Sequence, residues 1–243
     1  MGRASIRRRA VRPLIGLALA AVFALGACGG DEPTEVVLVG AGDIGAGAFT
    51  SPVAEAPTRS LADFGADAPD TTVPDDAIAV TVRSGDEPGL YAGSEDDEAC
   101  DRTLLAERLT GAPTVATAWA AVVGVEADQV ATTIEAATGV ETTVDLRVTS
   151  HRWVDGDVVA DHAVLAAGTA VLVRADGTPL ARCLSGAPLL PAAAISGAIT
   201  FSGTAWPGFA ADRLSTVRPA EAPAAALELV DPDTGGRVVR PVG

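Results

Sequence analysis

From residue 35 onward the spacing of apolar positions changes several times, and each change marks a different element. Residues 35–39, Glu-Val-Val-Leu-Val, form a short apolar run that reads as a buried strand. Residues 77–83 alternate as a second strand, and Gly85-Asp86-Glu87-Pro88-Gly89 turns the chain. Three helices follow. Asp101 is placed to cap one over residues 102–109, where Leu105 and Leu109 lie one turn apart, and Gly111 ends it. Pro113 suits the first turn of the next, residues 114–123, whose Val115, Trp119 and Val122 or Val123 make one apolar stripe that closes at Gly124. Residues 128–137 carry Val130 and Ile134 on one side and stop at Gly139.

At Val140 the period drops to two. Val144, Leu146 and Val148 alternate with Thr143, Asp145 and Arg147, as in a strand with one wet face. Residues 169–174, the turn Ala175-Asp176-Gly177-Thr178 and residues 179–183 spell a hairpin. Residues 214–218 read as a short strand, and 227–230 with 237–239 as a terminal hairpin behind a hinge at 219–223. By contrast, residues 51–76 hold Pro52, Pro57, Pro69 and Pro74, scattered acids and no sustained period, which predicts a disordered linker or loosely ordered insertion. The expected fold is α+β, a single domain of three short helices on a mostly antiparallel sheet. Its parts are a first strand and glycine-rich loop (35–50), the linker (51–76), the core (77–218) and the hinge with its hairpin (219–243).

The opening changes the setting. Arg3, Arg7, Arg8, Arg9 and Arg12 precede an apolar run over residues 14–25. About a dozen residues are too few for a span, which needs roughly 20, so residues 1–27 read as an export signal. The quartet Leu25-Gly26-Ala27-Cys28 closely resembles the lipobox of bacterial lipoprotein signal peptides. That resemblance implies cleavage before Cys28, acylation of its thiol, and a folded part held by a tether (28–34) on the outer face of the cytoplasmic membrane. Two or three acyl chains make such an anchor stable. Arg7-Arg8-Arg9 leaves the twin-arginine and general export routes both open.

Charge narrows the partners. The chain has 32 acids against 17 basic residues, a net −15, and every basic residue is Arg. Loss of a segment with five arginines and no acid takes the remainder to about −20, which repels nucleic acid and anionic lipid head groups. The acids at 95–98 read as favouring the N-terminus of the first helix; they lack the spacing of a Ca²⁺ loop. With Cys28 taken by the anchor, Cys100 and Cys183 form an even pair in an oxidising compartment and are expected to bridge; the alternatives are two buried thiols or one reactive nucleophile.

Candidate chemistry adds little. Gly40-Ala41-Gly42-Asp43-Ile44-Gly45 spells GxGxxG after a strand, but the residues that follow are too rich in Gly and Pro to open the helix a dinucleotide needs. Gly42-Asp43-Ile44-Gly45 is also similar to the first metal-ligand block of calcineurin-like metallophosphoesterases, whose Asn-His and His-x-His blocks are absent. His151 and His162, the two histidines, have no zinc spacing. No catalytic residue, cofactor or metal is therefore expected. Trp119 reads as core, whereas Trp153, Trp206 and Phe209 are candidate exposed aromatics for binding.

Taken in order, Gly89-Leu90-Tyr91-Ala92-Gly93, Cys100-Asp101, Ala118-Trp119, Gly124-Val125, Ala167-Gly168-Thr169-Ala170-Val171-Leu172-Val173, Arg182-Cys183, Pro188-Leu189 and Trp206-Pro207-Gly208-Phe209 resemble a family of actinobacterial secreted or lipid-anchored proteins catalogued as a domain of unknown function. The resemblance covers most of residues 36–218 and departs from the family at Leu184-Ser185-Gly186. It implies a shared fold and a cysteine pair, and no activity. The expectation is a non-enzymatic envelope module that binds a protein, peptide or glycan. The alternatives are a cell-wall hydrolase using an Asp/Glu pair and a structural spacer.

Overall fold

The strand-forming stretches assemble into two mixed sheets, where their alternation suggests one mostly antiparallel sheet. The structure, a computed structural model, describes residues 32–57, 61, 72–75, 78–95 and 98–243. Within these the order is β1 (Thr34–Val39), β2 (Thr72–Asp75), β3 (Ile78–Ser84), β4 (Tyr91–Ala92), α1 (Arg102–Thr110), α2 (Pro113–Val123), a 3₁₀ turn (Ala127–Gln129) and α3 (Val130–Glu135). Then come β5 (Thr138–Thr142), β6 (Leu146–Val154), β7 (Asp157–Leu165), β8 (Ala170–Val173), β9 (Pro179–Arg182), β10 (Leu189–Pro191), β11 (Ile199–Ser202), β12 (Leu214–Arg218), β13 (Ala226–Val230) and β14 (Arg237–Pro241). The first sheet runs β11-β1-β7-β6-β12-β3-β2, with β10 also on β6; the second runs β14-β13-β4-β5-β8-β9.

Parallel pairing appears where distant segments meet. β1 lies parallel to both β7 and β11, and β12 parallel to both β3 and β6. Neighbours in sequence pair antiparallel, β6 with β7 and β8 with β9, and so do β5 with β8 and β10 with β6. The β6–β7 turn has positive φ at Asp155 (52°) and Gly156 (95°), the geometry that matches strand twist in a two-residue hairpin. The period-two stretch after Val140 is two strands. β5 belongs to the second sheet and β6 to the first, and the chain crosses between them at residues 143–145.

One apolar cluster joins the sheets, combining Val140, Val171 and Leu229 of the second with Leu146, Val148 and Leu165 of the first. A second joins the helices to the second sheet through Leu105, Leu109, Trp119, Ile134, Leu172 and Leu180. Asp101 caps α1 by accepting from the Leu104 N–H at 2.8 Å, and Gly124 ends α2 in the left-handed region at φ 78°. The third helix differs from its expected span. Glu126 and Gln129 form a capping box around the 3₁₀ turn, and the helix stops at Glu135. Gly139 is a strand residue, where a Cβ would stand 3.1 Å from the Cys100 nitrogen. Cys100 and Cys183 are disulfide-bonded, Cα atoms 5.6 Å apart, tying the start of α1 to the end of β9.

Parts of the expected linker belong to the fold. Val53 and Leu61 are buried, the Asp101 N–H donates to the Val53 carbonyl, and β2 pairs with β3. Short apolar anchors there outweigh the prolines between them. The terminal hairpin docks on the second sheet, with Val230 of β13 opposite Ala92 of β4, and buried Arg240 donates from Nη1 to the Gly139 carbonyl at 2.8 Å. The expected signal, with Leu25, Gly26, Ala27 and Cys28, lies outside the described residues, as does most of the tether. Among the described residues no helix is long and apolar enough to cross a membrane.

Candidate functional site

Alternation along β1 sends Val36 and Leu38 into the core and leaves Glu35, Val37 and Val39 on the other face. Together with Ser150, Arg152 and Asp161 of the β6–β7 hairpin they line a cleft of about 340 Å³. Its remaining wall is the glycine loop at 43–47 and the turn after β9, with Ser185 and Ala187. The loop holds no helix. The Asp43 N–H donates to the Gly40 carbonyl at 2.9 Å, and the Asp43 carboxylate accepts the Gly40 N–H at 2.9 Å. Gly47, at φ 73°, is pressed against β6: a Cβ there would stand 3.0 Å from the Trp153 carbonyl oxygen, and its own carbonyl accepts the Trp153 N–H.

Arg182, the last residue of β9, is 4% exposed and lines this cleft. It donates from Nη2 to the Asp43 carbonyl, while its Nε has no hydrogen-bond partner among the described residues. Burial lowers its pKa to about 10, against the opposing pull of the Asp43 charge. No carboxylate lies within ion-pair distance of it among the described residues. Arg152 differs: it grips Asp161 with both arms, Nε to Oδ2 at 2.5 Å and Nη2 to Oδ1 at 2.9 Å, and those bonds hold its charge firmly. His151 is buried in the wall, its Nδ1 3.0 Å from the Pro188 carbonyl. Since that oxygen only accepts, Nδ1 carries the proton, and in the neutral ring Nε2 is an acceptor. His162 does not line the cleft.

The three candidate aromatics are half-buried and fall into two places. Trp153 packs on Phe49 with centroids 5.9 Å apart, beside the helical cluster. Trp206 and Phe209 stack edge-on at 5.2 Å, and Phe209 meets Phe201 at 5.3 Å, all three packed on a third cluster around Val36, Leu38 and Val164. The Trp206 Nε1–H donates to Asp145 Oδ2 at 3.2 Å. Burial raises the Asp145 pKa, and the Ala167 N–H, the Trp206 indole and the Arg213 charge hold it back. Among the described residues no three His, Cys, Asp or Glu side chains gather as a metal site.

Sequence reasoning proposed none of Arg182, Asp161 and Glu35, and set aside Arg152 with the string Ser150-His151-Arg152-Trp153, which invites a catalytic reading but lacks a metal or nucleophile motif. The only signal available was a basic residue inside the apolar string of the second hairpin strand, beside Cys183. No curated protein and no solved structure matches the chain. Residues 81–243 match the family described as Domain of unknown function (DUF6777). The match includes Ser150, His151, Arg152, Asp161 and Arg182 and extends through the terminal hairpin, beyond the 36–218 of the resemblance, while β1 and the glycine loop precede it. The chain therefore belongs to the DUF6777 family, a domain of unknown function.

Proposed function

We propose that the protein is a lipid-anchored module on the outer face of the cytoplasmic membrane of an actinobacterium, which binds a peptide, glycan or protein of the envelope without altering it. The anchoring half rests on sequence: the arginine-led apolar run, the lipobox at Leu25 to Cys28 and an acidic remainder that keeps nucleic acid away. The binding half rests on one observation, that a guanidinium almost wholly removed from water lines an open cleft, near the Asp43 charge but with no carboxylate at ion-pair distance among the described residues. A buried ion whose counter-charge stands beyond ion-pair distance keeps much of a desolvation penalty of several kcal/mol. A fold that keeps one beside an opening has a use for it.

The test immobilises the full chain in detergent micelles and presents it with purified sacculi and envelope extract. The folded protein retains a component that a reduced, unfolded control does not, and Ala46→Trp, which fills the cleft mouth from the exposed loop, releases it. Equal retention by the unfolded control, or retention indifferent to Ala46→Trp, ends the reading.

Hydrolysis of cell-wall material is a second reading with one observation behind it: Glu35 and Asp161 line the same cleft from neighbouring strands. Glycosidases work with such a pair about 5 to 9.5 Å apart. Soluble fragments released by the wild type and not by Glu35→Gln select hydrolysis, and intact sacculi select binding. A spacer does neither.

A further inference from the structure

The geometry points to a carboxylate, borne by the C-terminal end of a peptide, as the group this cleft receives, with Arg182 as its counter-ion. This rests on the binding reading above and deepens it. The charges that line the cleft are Glu35, Asp43, Arg152, Asp161 and Arg182. Arg152 and Asp161 satisfy each other in a two-bond fork. The Asp43 carboxylate is turned onto the Gly40 N–H, and Glu35 is exposed on the β1 wall. Arg182 has a neutral carbonyl on one Nη, the Asp43 charge beyond ion-pair distance, and an Nε that is covered by the protein and has no hydrogen-bond partner among the described residues. A guanidinium offers five N–H donors in a planar fork, and a carboxylate takes two of them in parallel.

The same inventory selects among anions. Three carboxylates against two guanidinium groups make the lining net negative, so a doubly charged phosphate meets more repulsion than a single carboxylate does. The remaining polar groups suit an amide-bearing neighbour. The His151 Nε2 acceptor and the hydroxyls of Ser150 and Ser185 can take N–H donors, and Val37, Val39, Ile44 and Ala163 offer apolar contact. About 340 Å³ is near the small end of ligand cavities, which fits a chain end better than a chain segment.

Calorimetric titration of the full chain in micelles, at pH 7 and fixed ionic strength, tests this with four probes: N-acetyl-L-alanyl-L-alanine, its C-terminal amide, acetate and inorganic phosphate. The acid binds at least tenfold more tightly than the amide, Arg182→Met removes that difference, and Arg182→Lys keeps part of it. Acetate as tight as the dipeptide acid overturns the chain-end source and assigns the carboxylate to a small free acid. Acid and amide alike, phosphate tighter than carboxylate, or no binding by any probe overturns the inference. If in those cases the envelope component is still retained and still released by Ala46→Trp, the binding reading stands without it. Should Arg182→Met fail to fold, the acid-to-amide ratio of the wild type, and its loss in Ala46→Trp, decide the question.

Discussion

The helical layer and the cleft share the end of β9, yet they treat buried polar groups in opposite ways. On the helical side the Trp119 indole donates to the Gly186 carbonyl at 3.1 Å. The half-buried Arg102 donates to the Glu135 and Ala137 carbonyls, both at 2.7 Å, and to both Glu98 carboxylate oxygens. On the cleft side, one residue before Cys183, Arg182 is buried and incompletely bonded. Position in the chain does not separate them, so the difference lies in what each surface is for. One is finished within the molecule, and on the binding proposal the other is completed from outside.

The comparison breaks most easily at its finished side. Trp119→Ala removes a fully buried indole and costs about 3–5 kcal/mol in urea denaturation, and acid binding in the cleft survives wherever the chain remains folded. Gly186→Ala strikes both sides together. At φ 63° its Cβ would stand 2.6 Å from Thr50 Oγ1, so the turn that carries the Trp119 acceptor and borders the cleft must shift, at about 1–3 kcal/mol. Arg182→Met separates the two sides: it leaves stability unchanged or raises it by up to about 2 kcal/mol, while carboxylate binding goes. Destabilisation beyond 2 kcal/mol would mean that Arg182 is a structural strut.

Asp145 gives the smallest effect and a sign. Its carboxyl is harder to ionise in the fold than in the unfolded chain, so between the ordinary value of about 3.9 and its raised one the native state holds more protons. Its contribution is therefore fully present below that ordinary value and lost as pH rises through the window. Asp145→Asn flattens this fall in a series of melts from pH 3.5 upward. An unchanged slope would show that Asp145 is not the group responsible.

Much of the scaffold was legible because it is local. Asp101, Pro113 and Gly124 mark helix ends through one side chain or one backbone angle, and Gly177 closes the β8–β9 turn. Asp155-Gly156 was equally legible and passed over, although its Asp-Gly pair is the hairpin signal for β6 and β7, the longest strands among the described residues. Whether strands pair parallel depends on crossovers between segments far apart, such as β12 against β3 and β6, which no period records. The cleft was hidden for a related reason. Arg182 in an alternating strand reads as a wet-face residue, yet it is buried and bonded to the distant glycine loop through the Asp43 carbonyl. Of the candidate aromatics, Trp206 and Phe209 are half-buried and packed edge-on against one another.

The most direct measurement is the side-chain Nε–H resonance of Arg182, followed in ¹⁵N-labelled full chain as N-acetyl-L-alanyl-L-alanine is added. The account predicts that this resonance moves, saturates with the same affinity seen by calorimetry, and stays in place when the amide is added at the same concentration. A resonance that ignores the acid while other signals of the protein respond to it would contradict the account.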